Sequence, residues 1–462
     1  MKTRNMLAQM SLGVLLAVIS MLAASPTAHA QQAINRSFFG FDINKWYNTG
    51  EPWPDDLGLY FGVWRSLGAN TNWDQIETSN GTYTWTKLDA YALQAAGDGE
   101  EIMYTVYHTP SWANGGAGNN APPSDLGSGD NYWKTFITAV YNHATTEGYH
   151  IKYWECWNEP NISGSWSGTY GQLQEMCADL YTTVHSLDTS GNVYVLTPPW
   201  SAANSACSTS TEWLIGGGNP ATCTLTSTPG CSTFQQYLEW PIGGQTPGSQ
   251  SADIVGFHSY LAPDPTQSTA GGCAAANVPN VVQRVEAMAT AAGIGSEPVW
   301  STEGSNNGVG SSSGDEDQSA AFLAQYFLNF MDRGVSGVVW FGYDYSPYYG
   351  LLNNPGGPGA TLDKTGTAYE QVYLWTVGQG STVTQAPTNG GSGTIYTGKL
   401  TFSGGTHALV MWDDSQTCSG GSCSTVNQTV SNSYAFWADL DGNIHTILSH
   451  QVPVGLKPVL IY

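Results

Sequence analysis

Ile151-Lys152-Tyr153-Trp154-Glu155-Cys156-Trp157-Asn158-Glu159-Pro160 starts as a β-branched and aromatic run and stops at a proline. Such a run favours extended backbone, so Ile151–Asn158 reads as a strand. The same kind of run recurs on both sides of it. Phe38–Ile43, Phe61–Leu67 and Ile102–His108 precede it, and Val193–Pro198, Ile254–Tyr260, Val299–Glu303 and Val338–Tyr343 follow. Between several of these, apolar residues at three- and four-residue spacing predict helices over Tyr132–Thr146, Tyr170–Leu187, Val281–Ala292 and Gln318–Arg333. Gly293 and Gly334 sit just past two of them, where a left-handed cap favours glycine. Eight strands alternating with helices predict an α/β fold, a (β/α)8 TIM barrel over residues 31–378. A doubly wound open sheet fits less well, because no glycine-rich dinucleotide loop follows the first strand. Gly216–Gly218 reads as a turn.

After Gly378 the pattern changes. Thr394–Tyr396, Ala408–Trp412, Tyr434–Ala438 and Pro458–Tyr462 are short alternating runs separated by turn residues. They predict a C-terminal antiparallel β-sandwich-like domain over residues 379–462. Asn389–Gly393 reads as a turn rather than a flexible linker, so the two parts are expected to pack rigidly. The start of the mature chain is a candidate for one further strand of the small domain.

Residues 1–30 read as a signal peptide. Lys2 and Arg4 precede an apolar stretch, Met10–Ala24, and Ala28-His29-Ala30 offers a small-residue cleavage site. A secreted or periplasmic protein is expected, with no membrane association after cleavage. Loss of Lys2 and Arg4 takes the formal charge from -23 to -25. That surface repels nucleic acid and anionic lipid and suits a neutral substrate. Eight cysteines in an exported chain allow disulfides. Cys418 and Cys423 flank a Ser/Gly turn and are expected to bond. Cys207, Cys223, Cys231 and Cys273 lie in loops and would form two bridges of open connectivity. Cys156 and Cys177 are buried thiols or a bonded pair. Spacing and the lack of a histidine cluster argue against zinc, and no metal or cofactor is expected. Asp413, Asp414, Asp439 and Asp441 fit acidic turns better than a calcium site. The 18 Trp and 25 Tyr suit a carbohydrate cleft, although large secreted cores also bury aromatic rings.

Glu159 closes the fourth predicted strand and Glu303 the seventh. Reactive groups of a (β/α)8 barrel stand at the C-terminal ends of its strands, and these two ends face each other across the mouth. A single glutamate there could merely cap a helix or pair with an arginine. Two facing carboxylates are what glycoside hydrolysis requires: one protonates the leaving oxygen, and the other attacks the anomeric carbon or activates water.

The Asn158-Glu159 pair on strand four and Glu303 on strand seven resemble clan A glycoside hydrolases, and within the clan most resemble glycoside hydrolase family 39, the β-xylosidase-like group. The resemblance extends over roughly residues 38–378. It includes Pro52-Trp53-Pro54, Phe61-Gly62-Val63-Trp64-Arg65, Trp73-Asp74-Gln75-Ile76-Glu77, Gly81–Asp89, Tyr104–Trp112 and Phe257-His258-Ser259-Tyr260. It implies that Glu159 is the general acid/base and Glu303 the nucleophile. It implies that Asn158 binds the sugar 2-hydroxyl, that Arg65 keeps Glu303 ionised, and that His258 and Tyr260 orient the carboxylates. Trp340 would stack on the sugar, and His108 and Trp112 would line the cleft. A retaining hydrolase of β-glycosidic bonds is implied, of β-xylosidase or endo-β-glycanase type, acting on a polysaccharide or oligosaccharide. A transglycosylase on the same barrel and a non-catalytic carbohydrate-binding protein are the alternatives. One departure stands out: after Arg65 the family pattern is a hydrophobe, Trp and Asp, whereas this chain has Ser66-Leu67-Gly68. That bears on sugar preference and leaves the two glutamates untouched.

Overall fold

The computed structural model describes residues 34–129, 131–162, 164–201, 234–260, 278–306, 315–345, 350–377, 383–390, 393–402 and 405–462. The expected signal peptide and Cys207, Cys223, Cys231 and Cys273 lie outside these residues, as do most of the loops that follow Ser201 and Tyr260.

Nine parallel strands carry the larger domain: β1 (Phe39–Asp42), β2 (Val63–Arg65), β3 (Glu101–Val106), β4 (Ile151–Cys156), β5 (Tyr194–Leu196), β6 (Trp200–Ser201), β7 (Val255–His258), β8 (Val299–Gly304) and β9 (Gly337–Trp340). Their order in the sheet is β5-β4-β3-β2-β1-β9-β8-β7-β6. β5 and β6 are two halves of one barrel strand, separated by Pro198 and Pro199, which cannot donate to a ladder. The ring closes through this broken strand. Leu196 bridges Ile254 in parallel register, the Thr197 amide donates to the Ile254 carbonyl at 3.0 Å, and β6 pairs with β7. Eight barrel positions result, and the fold is the expected TIM barrel. Predicted and observed strands overlap at all eight, and the four predicted helices form at Tyr132–Glu147, Tyr170–Leu187, Val278–Ala291 and Glu316–Asp332. Gly293 (φ 81°) and Gly334 (φ 71°) adopt the left-handed conformation expected past a helix.

Strand alternation stacks the barrel interior in layers. Val63, Met103, Tyr153, Leu196, Ile254, Trp300 and Val339 form one buried apolar layer. β1 contributes Gly40 at this level, where a Cβ would come within 2.9 Å of a Val339 methyl. Two residues further along β1–β4 the inward positions are Asp42, Arg65, Thr105 and Glu155, all buried. A dry apolar floor therefore lies directly beneath a polar layer. The outward positions hold the large rings: Trp64 stacks on Tyr91 of the helix Thr86–Asp98, and Trp154 meets Tyr104 and Tyr141.

The C-terminal part is an antiparallel sheet in the order Val383–Gly390, Gly393–Thr401, His407–Asp413, Val459–Ile461, Phe436–Ala438, Ile444–Thr446. A second pair, Thr425–Thr429 with Gln451–Gly455, closes the other side. Ile395, Met411, Val430, Val452, Val454, Val459 and Ile461 form the core between them. Gly390 and Gly393 pair in the register of the first two strands, and residues 391–392 of the predicted Asn389–Gly393 turn lie outside the described residues. The small domain docks on the barrel helix Glu316–Asp332: Gln325 donates to the Leu456 carbonyl at 2.7 Å, and Lys457 donates to Asp317 at 2.9 Å. The start of the described chain adds no strand there. Arg36–Phe38 is a 3-10 turn that leads into β1.

Two disulfides occur among the described residues, Cys418–Cys423 and Cys156–Cys177. The second ties the end of β4 to the helix Tyr170–Leu187 and closes a loop of 21 residues. A loop of that size implies about 3 kcal/mol of stabilisation. The double variant Cys156→Ala/Cys177→Ala is expected to lose about that amount in urea unfolding, less any repacking gain.

Candidate active site

Glu155, Asn158 and Glu159 come from the end of β4, which leaves the barrel through a strained turn. Trp157 (φ 68°) and Glu159 (φ 43°) both adopt left-handed backbone, which is costly for residues with a side chain. The turn is held by hydrogen bonds. The Trp157 amide donates to the Val106 carbonyl at 3.0 Å, the Glu159 amide to Pro199 at 3.1 Å, and the Trp157 indole to Ser165 at 2.8 Å. Cys156, one residue before the turn, is anchored by its disulfide.

Glu303 reaches the interior by a different device. On β8 Trp300 points inward, so simple alternation would send residue 303 outward. The β7–β8 register slips instead: Phe257 faces Ser301, but His258 faces Glu303. This irregularity turns the Glu303 carboxylate into the mouth, as bulges beside functional sites do.

Arg65 is fully buried and lies at the centre of the polar layer. Its Nη1 donates to Glu303 Oε2 at 2.6 Å and to Asp42 Oδ2 at 3.3 Å. Its Nε and Nη2 both donate to Glu155 Oε2, at 2.9 and 2.5 Å. Nη2 also donates to Asn158 Oδ1 at 2.8 Å, which leaves the Asn158 amide hydrogens as the free donor side of that group. The Tyr260 hydroxyl donates to the second oxygen of Glu303. His258 bridges the two glutamates, with Nδ1 2.9 Å from Glu159 Oε1 and Nε2 3.8 Å from Glu303 Oε2. Arg65 can only donate, so a neutral His258 faces it with a bare Nε2 at 3.4 Å and offers Nδ1–H to Glu159.

The electrostatics follow from this geometry. Burial pushes the Glu303 carboxyl up, but the neighbouring His258 and Arg65 and the hydrogen bonds from Tyr260 and Arg65 outweigh it and hold the group below its ordinary value. Burial and the neighbouring Glu303 push the Tyr260 phenol well up, so it stays a hydrogen-bond donor. One ligand atom from each of Glu159, His258 and Glu303 lies within 4.8 Å of the others. Among the described residues this is the one group of His, Cys, Asp and Glu that converges as ion ligands would. Glu159 is hydrogen-bonded to His258, and His258 and Glu303 to Arg65. The acidic residues of the small domain do not converge. Asp439 caps the turn to Asn443, Asp441 pairs with Lys457, and Asp413 binds the Ser415 amide and hydroxyl.

Six sequence-predicted residues thus meet in one constellation: Arg65, Asn158, Glu159, His258, Tyr260 and Glu303. Trp340 does not join them. Val339 takes the inward position on β9, so Trp340 faces the helix Glu316–Asp332, is fully buried, and packs on Phe322, Tyr326 and Phe327. Its expected role as a sugar platform is therefore corrected. The ring beside Tyr260 is Phe341, one residue on, at 6.1 Å and edge-on. His108 and Trp112 lie on the loop after β3 and touch other groups. His108 stacks on Tyr107 and faces Asn72, and burial pushes its imidazole down despite Asp74. The Trp112 indole donates to the Glu77 carbonyl at 2.8 Å. Glu155 and Asp42 were missed. An ionisable residue within an apolar strand needs a partner, and that signal, which singled out Arg65, was equally present at Asp42 and Glu155. The unusual Gly68 has φ 82°, and a Cβ there would sit 2.5 Å from Asn44 Oδ1, so a side chain at this position needs strained backbone and a shift of Asn44.

No family model matches the sequence, and no curated protein matches it. Solved structures do. A glucosidase from Croceicoccus marinus superposes with a TM-score of 0.59 at 14% identity, covering 95% of this chain and 96% of that one. A family 39 glycoside hydrolase from the gut symbiont Bacteroides cellulosilyticus WH2 gives 0.60 at 16%, with coverages of 93% and 81%. A monomeric β-xylosidase from Caulobacter crescentus CB15 gives 0.55 at 16%, with 93% and 96%. At such identities the likeness establishes the fold, barrel and appended β-domain together.

Arg65→Met leaves buried carboxylates without their cation. It is expected to cost about 3–5 kcal/mol at neutral pH in urea unfolding. The deficit should shrink as the solution is acidified, because the carboxyls then take up protons.

Proposed function

We propose that the protein is a retaining glycoside hydrolase that cleaves β-glycosidic bonds of a carbohydrate by double displacement. The observation that carries this reading is the pair Glu159 and Glu303, whose nearest oxygens lie within 4.8 Å of each other across the barrel mouth. Retention uses carboxyl groups about 5–5.5 Å apart, and inversion needs about 6.5 Å or more to seat a water.

The partners of the two carboxyls divide the labour. Glu303 receives donors from Arg65 and Tyr260 and is held ionised, as a nucleophile must be. Among the described residues Glu159 pairs only with His258, and it retains 14% side-chain exposure, so it can trade a proton with the leaving group and with water. In the first step Glu159 gives its proton to the glycosidic oxygen as Glu303 attacks the anomeric carbon and the C–O bond breaks. In the second, Glu159 takes a proton from water, which displaces Glu303. The Asn158 amide, aimed by Arg65, would hold the 2-hydroxyl in both transition states. Phe341 would take the stacking role expected of Trp340. The acidic surface favours a neutral sugar, and export places the substrate outside the cytoplasm. β-Xylosidase and endo-β-glycanase action both fit this site.

Glu303→Ala is expected to abolish turnover on aryl glycosides and polysaccharides while the far-ultraviolet spectrum is unchanged. Retention of more than about a tenth of the activity would contradict the assignment. Glu159→Ala should recover with azide, and with substrates whose leaving groups need no acid. Proton NMR of early product should show the anomeric configuration of the substrate. Because Glu303 must be ionised and is held low, the acid limb of kcat/KM should lie below the ordinary carboxylate range.

A further inference from the structure

Three carboxyl groups surround the Arg65 guanidinium, and all are buried: Asp42 and Glu155 at 0% side-chain exposure and Glu303 at 7%. One positive charge cannot balance three negative ones in a dry layer. The contacts are unequal. Glu155 Oε2 accepts from Nε and Nη2 of Arg65 and from the Thr105 hydroxyl at 2.7 Å. Asp42 accepts one long contact of 3.3 Å through Oδ2; its Oδ1, like Glu155 Oε1, is buried with no hydrogen-bond partner among the described residues.

We propose that Glu155 is a positioning residue whose carboxylate locks the guanidinium so that Nη1 faces Glu303, while Asp42 is a neutral acid that carries the proton the cluster requires. Neither group touches the reacting atoms. The role of Glu155 rests on the glycosidase reading, whereas the protonation of Asp42 does not. Two of the five guanidinium N–H groups are spent on one Glu155 oxygen, which fixes the plane of the fork. Nη1 then points across the barrel to Glu303, and Nη2 reaches on to Asn158. Asp42 would compete with Glu303 for Nη1 if it carried a charge of its own. The charged and titratable groups that face it are Arg65 on β2, Glu155 on β4, Glu303 on β8 and Tyr260 beyond β7, and β9 presents only Val339 at the inward position. Burial, the largest influence, pushes the Asp42 carboxyl up, and Glu303 and Glu155 add to this against the pull of Arg65.

Two effects oppose each other in a Glu155 amide variant. Against burial, His258 and Arg65 hold Glu303 low. Loss of the neighbouring Glu155 charge alone would lower that carboxyl further and move the acid limb of kcat/KM to lower pH, whereas an unanchored guanidinium lets it rise, so a positioning role for Glu155 predicts a net move to higher pH. An amide in place of a carboxyl that was already neutral changes no charge.

The test compares Glu155→Gln with Asp42→Asn in the full chain on an aryl glycoside that the wild type cleaves. Glu155→Gln is expected to move the acid limb upward by about one pH unit, and Asp42→Asn by less than about 0.3 unit. Equal shifts, or no shift in Glu155→Gln, overturn the assignment. Infrared spectra near neutral pH supply a second arm that needs no turnover and no folded Glu155→Gln. One protonated-carboxyl carbonyl band should vanish in Asp42→Asn, and persistence of every such band overturns the neutral Asp42. If no glycoside is cleaved, the glycosidase reading fails, and the infrared result still decides the state of Asp42.

Discussion

One buried guanidinium organises the mouth of the barrel. A charge taken out of water is tolerated only if it is neutralised and its hydrogens are bonded. Arg65 meets this condition with groups drawn from β1, β4 and β8. Those strands are far apart in sequence, so the ion cluster forms only when the barrel has closed and its register is right. The interaction thus ties the fold to the site: the placement of Glu303 is a consequence of satisfying Arg65.

The layers beneath explain why this charge can be held. The apolar level of Val63, Met103, Tyr153, Leu196, Ile254, Trp300 and Val339 excludes water from below. The polar level above it opens toward the mouth through Glu159 and Tyr260. Low dielectric strengthens each hydrogen bond in the cluster and raises the cost of any that is missing. Positive φ at Trp157 and Glu159 and the slipped register of β7 and β8 are local costs accepted for the same end. Both aim a carboxyl into the mouth that regular backbone would not deliver there.

What the sequence disclosed, and what it hid, follows from these devices. Helices announce themselves by period and caps, so Tyr170–Leu187 was legible to the residue: Thr169 and Gln172 form its capping box. The barrel emerged from the recurrence of strands rather than from any one of them. Strand interiors were less legible, because two to six residues give alternation little room, and a run buried on both faces does not alternate at all. Trp340 illustrates this. It follows two valines in a wholly apolar strand, and only the pairing with β1 and β8 reveals that Val339 faces inward. Glu303 gives the converse case. Its inward aim depends on a register slip with no signature in composition, and it was found through its position at a strand end. Glu155 was overlooked because the neighbouring Asn158-Glu159 drew the chemical reading to the turn.

Roles within a carboxyl pair are set by the company each member keeps. Glu159 and Glu303 have the same side chain at the same barrel rim, and nothing intrinsic distinguishes them. Glu303 is surrounded by donors that favour its charge. Glu159 meets an imidazole that can hand a proton either way, and it borders solvent. Moving Arg65 would therefore exchange more than a contact: it would remove the asymmetry between the two carboxyls on which the proposed mechanism relies. The departure at Ser66-Leu67-Gly68 leaves that asymmetry intact, since Gly68 is required by its own turn and by Asn44 rather than by the cluster.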